Sequence, residues 1–445
     1  MKAMKNSQDA KYSKNVTNET RGRRARREAE KKGARLTVCI CVALFLALCA
    51  LLAIFLRPLL SPDASVSGPA GVAPSPSVQT VAPRTASPSP SASPSPSPSP
   101  SAAPSPTPLD QPPAASASPS GNSEVPTLET EAELNRVSIR ITAAGDCTLG
   151  SDVNSGSTRF DRYAQQYGPE YFLANVRAIF EDDDFTVVNL EGPLTTSTDK
   201  RSGRQFNFRG SPEYVQILSG SSVEVCTLAN NHALDFGEEG LRDTEANLRA
   251  AGIGAAGYET AYYAEKAGVR LCFLSFTEWD ASAEELAARV EQERENCDLL
   301  IVSMHWGEEL HHKATEEQIR YGHAMIDAGA DLVLGHHPHV VGGIERYQGK
   351  YIVYSLANFC FGGNRNPDDK DTFIFQQEFV LEDDGALADG GINIIPCSIS
   401  SETSSNNYQP TPLQGEDALD VIGEIASYSY ADGEILWMDE YIGNA

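Results

Sequence analysis

At 445 residues, with 35 basic against 61 acidic side chains and a net charge of -26, the chain cannot hold nucleic acid or an anionic polymer by charge alone. Its 9 cysteines are spread widely and form no CxxC pair, which excludes a disulfide scaffold. No period of 20–50 residues repeats, which excludes a solenoid or propeller.

Composition divides the chain. Residues 1–35 are polar and basic, with Arg21, Arg23, Arg24, Arg26, Arg27, Lys31, Lys32 and Arg35 running up to 36–56, 21 residues without a charge. As a helix that stretch crosses about 30 Å of hydrocarbon, and the basic flank stays in the cytoplasm. We therefore expect a cytoplasmic tail over 1–35, one transmembrane helix over 36–56 and the remainder outside the cell membrane. A cleaved signal peptide is the competing reading, but its apolar core is usually about 7–15 residues and lies nearer the start. Residues 1–60 carry 13 basic and 4 acidic groups, which leaves -35 on the rest. Residues 61–126 hold 18 of the 27 prolines, many in Ser-Pro repeats, and cannot bury enough apolar surface to fold. Extended polyproline geometry predicts a disordered stalk over 57–126 with a reach on the order of 200 Å.

Beyond it the pattern is globular, with a domain expected over 127–400 and a C-terminal extension over 401–445. Val137–Ala143 alternates like a strand and turns at Gly145 and Asp146. A helix is predicted over Pro169–Phe180, a strand over Phe185–Leu190, and a short helix over Ser211–Leu218 with Pro212 in its first turn. Strand Val223–Leu228, helix Glu238–Ala251, strand Val269–Phe276, helix Ala281–Glu295, strand Leu299–Met304, helix Thr315–Ala328 and strand Leu332–Leu334 follow. After that Gly343–Tyr347 and Lys350–Ser355 flank Gln348 and Gly349 as a hairpin, and strands recur at Phe373–Leu381 and Ile392–Ser400. Helices between buried strands indicate an α/β fold with parallel pairing, and the late meander suggests a second sheet. Asp182, Asp183 and Asp184 read as a solvated loop. The cysteines of the outer part read as small buried thiols, although a disulfide is permitted outside a cell.

Chemical groups gather at strand ends: Asp146; Asn189 and Glu191; Asn231, His232 and Asp235; His305; His337 and His339. Each has an ordinary reading as a turn residue, cap or core histidine. Together they form the mixed carboxylate, imidazole and amide set that a pair of divalent cations requires, and Fe, Mn, Zn or Co all accept it. All eight histidines lie between 232 and 339. His311, His312 and His323 read as surface residues on or near a helix.

Five ordered motifs carry a resemblance: Gly145-Asp146-Cys147-Thr148-Leu149-Gly150, Asn189-Leu190-Glu191-Gly192-Pro193, Ala229-Asn230-Asn231-His232-Ala233-Leu234-Asp235-Phe236-Gly237, His305-Trp306-Gly307 and Gly335-His336-His337-Pro338-His339-Val340. They resemble the capsule synthesis protein CapA family, associated with poly-gamma-glutamate capsule and similar to calcineurin-like metallophosphoesterases. The likeness covers about 137–365, and Tyr354-Ser355-Leu356-Ala357-Asn358-Phe359 extends it. It implies a four-layer α/β/β/α sandwich of metallophosphoesterase type with two divalent metal ions. Asp146 would ligate the first metal, with Glu191 in the bridging position. Asn231 would ligate the second, His305 and His337 would complete that site, and His339 would join the first. His232 would be the acid that protonates a leaving oxygen, and Asp235 would orient it. His336 would flank the site. At Thr148 the chain departs from the phosphoesterase pattern, which has a histidine there. Leu310 stands where that of the family is Tyr, and Ala357 where it is Gly. The implied partners are the membrane, through the N-terminal helix, and capsule polymer or synthase subunits. Two activities fit: metal-dependent hydrolysis of a cell-envelope ester, or an accessory role in capsule polymer synthesis or export.

Overall fold

Runs of branched and aromatic residues build two eight-stranded sheets. In the computed structural model the described residues are 137–382 and 384–431, with 434–435 as backbone, all within one compact unit, Glu129–Ala445. The expected cytoplasmic tail, the transmembrane helix over 36–56 and the stalk over 57–126 lie outside them, as does most of the C-terminal extension beyond 431. Among the described residues no helix is long and apolar enough to cross a membrane.

The first sheet runs in the order β16 (Thr411–Pro412), β15 (Leu387–Ser398), β14 (Asp371–Leu381), β1 (Ser138–Thr148), β3 (Phe185–Leu190), β5 (Val225–Thr227), β6 (Gly254–Ala256), with β13 (Asn358–Phe361) pairing the end of β1. The second runs β18 (Glu434–Ile435), β17 (Tyr430–Ala431), β11 (Ile344–Tyr347), β12 (Lys350–Val353), β10 (Leu332–His336), β9 (Leu299–His305), β8 (Val269–Thr277), β7 (Tyr262–Lys266). A short pair, β2 (Ser151–Asp152) and β4 (Phe208–Arg209), stands apart. Strands β1, β3, β5 and β6 are mutually parallel, as are β8, β9, β10 and β12.

The inner faces of both sheets share one core that includes Ile139, Ile141 and Val187 from the first and Phe273, Ile301 and Leu334 from the second. The outer face of the first sheet is covered by α1 (Arg159–Tyr167), α2 (Arg177–Phe180), α3 (Val215–Ser219) and α4 (Gly237–Ala250), whose Phe160, Phe180, Ile217 and Leu248 fill a second core. On the second sheet α5 (Ala283–Arg294) and α6 (Glu316–Asp327) bury Leu286, Val290 and Met325 in a third. The residues thus form the expected helix, sheet, sheet, helix layers. Helix α7 (Gly415–Tyr428) adds Val421, Ile422 and Ile425 to the core between the sheets. Capping boxes at Ser282 with Glu285 and at Thr315 with Gln318 start α5 and α6 where the sequence places them.

Four expectations are corrected. The late meander is not a sheet of its own: β11 and β12 extend the second sheet, while β14 and β15 extend the first along the free edge of β1. The helix predicted over Pro169–Phe180 is a 3-10 turn, Pro169–Tyr171, and a separate α2, because docking of Phe172, Leu173 and Val176 into the outer core outweighs helical spacing. Asp183 and Asp184 are not simply solvated: they accept from the Thr186 hydroxyl and the Arg140 N–H and pin the start of β3. His312 is half-buried, with its ring stacked on Tyr428 of α7. The six cysteines of the folded part are free and buried, Cys147 among them, so it faces the outer core and not the strand-end cluster.

Candidate metal centre

The carboxyl ends of β1, β3, β5, β9 and β10 meet at one point, which is where parallel strands present polar side chains. A bulge between Ala144 and Asp146 interrupts the pairing of β1 with β3, and a second irregularity interrupts its pairing with β13. Such bulges re-aim a side chain. Gly145 is required there, since a Cβ would stand 2.1 Å from the carbonyl oxygen of Ala357.

Asp146 is fully buried and saturated. Its Oδ1 accepts from Asn189 Nδ2 at 2.9 Å and from His336 Nδ1 at 3.1 Å, while Oδ2 accepts from the His337 N–H at 3.2 Å and lies 3.3 Å from His339 Nδ1. Burial raises its pKa, but the hydrogen bonds and charges of His336 and His339 outweigh that and hold it well below the usual carboxylate range. Glu191, also fully buried, has no hydrogen-bond partner for either oxygen, and its nearest cationic candidates are His305 Nε2 at 3.7 Å and His339 Nε2 at 3.9 Å. Burial first, then repulsion from Asp146, pushes it up to about 7. An ionised carboxylate in such a place costs several kcal/mol unless a cation meets it.

The imidazoles respond in opposite senses. Burial lowers His305 well below the ordinary value and lowers His337 to about 4. His339 is raised to about 9, because Glu191 and Asp146 overcome its burial. His339 Nδ1 lies 3.0 Å from Asn358 Oδ1, and the Asn358 amide donates back to the His339 carbonyl at 3.2 Å. His337 and His339 both have positive φ, 93° and 57°, a conformation that is strained for residues with a Cβ and is tolerated where surrounding contacts fix it. His305 Nε2 lies 2.9 Å from Asn231 Oδ1.

Three sets of ligand atoms converge here: Glu191 with His305 and His337, Asp146 with Glu191 and His339, and the exposed Glu309 with His337 and His339. The first two share Glu191. The unpartnered, buried oxygens of Glu191 and the bare His337 Nδ1 fit a divalent cation. Thr148, where a further histidine was absent from the sequence, is buried with its hydroxyl unpartnered.

His232 stands on the loop after β5. Its Nδ1 is 2.7 Å from Asp235 Oδ2, which also accepts the Phe208 N–H at 2.7 Å, and the Phe208 ring packs on the imidazole at 4.3 Å. Asn230 locks this loop by donating to Asn189 Oδ1 at 3.1 Å and to the Leu190 carbonyl at 2.9 Å. Every site residue singled out from the sequence is therefore brought into this region. Sequence reasoning missed the roles of His336 on Asp146, of Asn358 on His339, of Glu309, whose carboxylate groups with His337 and His339, and of Trp279, whose ring meets His337 edge-on at 4.9 Å. Asn358 belongs to the Tyr354–Phe359 motif, whereas Glu309 and Trp279 lie in loops with no periodic signal.

The family model for bacterial capsule synthesis protein PGA_cap matches residues 140–363. PGA biosynthesis protein CapA of Bacillus subtilis (strain 168) is 30% identical over 268 residues, 54% of this chain and 67% of that one. Capsule biosynthesis protein CapA of Bacillus anthracis is 28% identical over 292 residues, 59% of this chain and 67% of that one. Among solved structures, the NAD nucleotidase of Haemophilus influenzae aligns with a TM-score of 0.34 at 12% identity, over 69% of this chain and 66% of that one.

Proposed function

Since the chain belongs to the bacterial capsule synthesis protein family, we propose that it acts in polyglutamate capsule synthesis or export through a metallophosphoesterase-type domain holding two divalent metal ions. The names of the Bacillus relatives support the capsule role. In this reading residues 36–56 anchor the chain in the cell membrane as a single pass, 57–126 are the stalk, 127–400 work outside the cell, and 401–445 are an extension packed on the domain through β16, β17 and α7. The charge pattern of the N-terminal part supports that orientation. Capsule polymer or synthase subunits are the partners.

Asp146 and His339 would hold one ion, Asn231, His305 and His337 the other, with Glu191 between them; Mn, Fe, Zn and Co all suit these donors. The observation that carries this is Glu191, a fully buried carboxylate with both oxygens unpartnered among histidines. When bound, the ions supply Lewis-acid polarisation of a phosphoryl or acyl oxygen. The chain's own residues do the rest. Asp235 accepts from Nδ1 and so orients His232, and its carboxylate would balance the charge of the doubly protonated ring, the form whose Nε2–H can be delivered to a leaving oxygen. Asn189 and Asn230 hold the loops of both groups rigid. This His232 and Asp235 pair favours a second reading, a hydrolase of cell-envelope phosphoesters unrelated to capsule.

Metal analysis of the purified chain tests the centre: we expect one to two transition-metal equivalents per chain, lost in Asp146→Ala with His337→Ala, and unchanged content in that variant counts against the site. Turnover of an activated phosphodiester should fall at least about a hundredfold in His232→Ala. An unaffected rate rejects the acid role. Loss of capsule on deletion, with no phosphodiesterase activity in vitro, separates the accessory role from hydrolysis.

A further inference from the structure

We infer that a cleft beside the metal centre, formed by Arg201, Arg204 and Trp279, is a second binding site, for a ring-bearing ligand with an anionic group held by the arginines. The inference rests on the metal-centre reading above, because Asn231 and His337 form the wall common to the two. The cleft has a volume of about 430 Å³, within the range of small-molecule sites.

Three observations point the same way. First, the charge is out of place: in a chain of net -26, both arginines are exposed at this cleft and neither forms an ion pair among the described residues. Arg204 Nη2 donates to the Asn231 carbonyl at 2.6 Å, and the Arg201 N–H donates to the Asp235 carbonyl at 2.7 Å. The arginine loop is thus fastened to the loop that carries Asn231 and His232. A guanidinium with free N–H groups recognises carboxylate or phosphate oxygens in a bidentate way.

Second, Trp279 is 50% exposed although it touches the His337 ring, so its indole offers a flat apolar surface in the cleft that the arginines also line. Third, one carboxylate, Asp280, lines the cleft together with the two arginines. Asp280, next to Trp279, accepts from the Thr277 hydroxyl at 2.6 Å and repels a second anion on its own side. The ligand is therefore oriented, with its oxyanion towards Arg201 and Arg204.

The shared chemistry is an oxyanion, and carboxylate and phosphate sources are separable by probe. Calorimetric titration of the Mn-loaded full chain with phenyl phosphate, 4-carboxyphenyl phosphate and 1,4-phenylene bisphosphate measures the gain from a second anion. We expect either or both of the doubly anionic probes to bind about tenfold tighter than phenyl phosphate. Arg201→Gln with Arg204→Gln should erase that gain with metal content unchanged, and Trp279→Ala should weaken all three ring probes. A gain for one probe alone identifies carboxylate or phosphate as the group bound. With metal bound, equal affinity for the three probes, or a gain that survives in the double arginine variant, overturns the inference and leaves the metal centre standing. An arginine-dependent gain in a chain that takes up no metal supports the anion site and removes the metal centre instead.

Discussion

Glu191 sets the energetics of the centre. Burial raises its pKa to about 7 in the metal-free protein from an ordinary 4.5, so the protonated form is favoured on folding. A group raised in this way contributes stability that is complete below about 4.5 and is lost as pH rises through about 7. In chelator, the stability of the wild type relative to Glu191→Gln should therefore fall by on the order of 2–3 kcal/mol between pH 5 and pH 9. Urea midpoints at several pH values measure it, and a flat difference would show that the carboxylate is already compensated. With metal restored the order reverses, because the ionised form then has its cation and the glutamine does not.

At the scale of elements, the end of β1 is decided by how closely it approaches the loop before β13. Gly145→Ala places a methyl group 2.1 Å from the Ala357 oxygen, inside the contact limit of both strands. We expect a loss of about 3 kcal/mol or more in urea unfolding, together with loss of metal, since Asp146 is the next residue. If stability and metal content both stay at wild-type values, the strands do not meet in this way. Here the limits of sequence reading also become physical. Strands such as Phe185–Leu190 and Leu299–His305 are legible because they are buried on both faces and read as continuous apolar runs. Helix α1 is not, because Phe160 is its only fully buried residue and its tyrosines contribute partial faces. Strand β7 pairs at an edge with mostly exposed side chains, so nothing in its composition marks it. The site residues were legible as strand-end motifs. Their supports were not: no spacing rule places His336 against Asp146, 190 positions away, or brings Trp279 to His337.

For the whole molecule, the donors at Asp146 and Glu191 belong to one sheet and those at His305, His337 and His339 to the other or to the loop after it. Bound metal would therefore clamp the two sheets together. Ligand that binds only the folded chain stabilises it by about 2.7 kcal/mol at a hundredfold excess over Kd. Removal of metal by chelator should lower Tm by several degrees and readdition should restore it, with no such response in Asp146→Ala plus His337→Ala. A Tm indifferent to chelation in the wild type would mean that no metal bridges the sheets.

The hydrogen bond from the His337 N–H to Asp146 joins positions 191 residues apart in the chain. During biosynthesis, the coordinating set cannot assemble until the chain has emerged as far as residue 339 and its ligand-bearing strands have paired. Capture of a cation is thus a late event that reports on that pairing, and a chain stopped before residue 339 retains its early carboxylates but no pocket in which to use them.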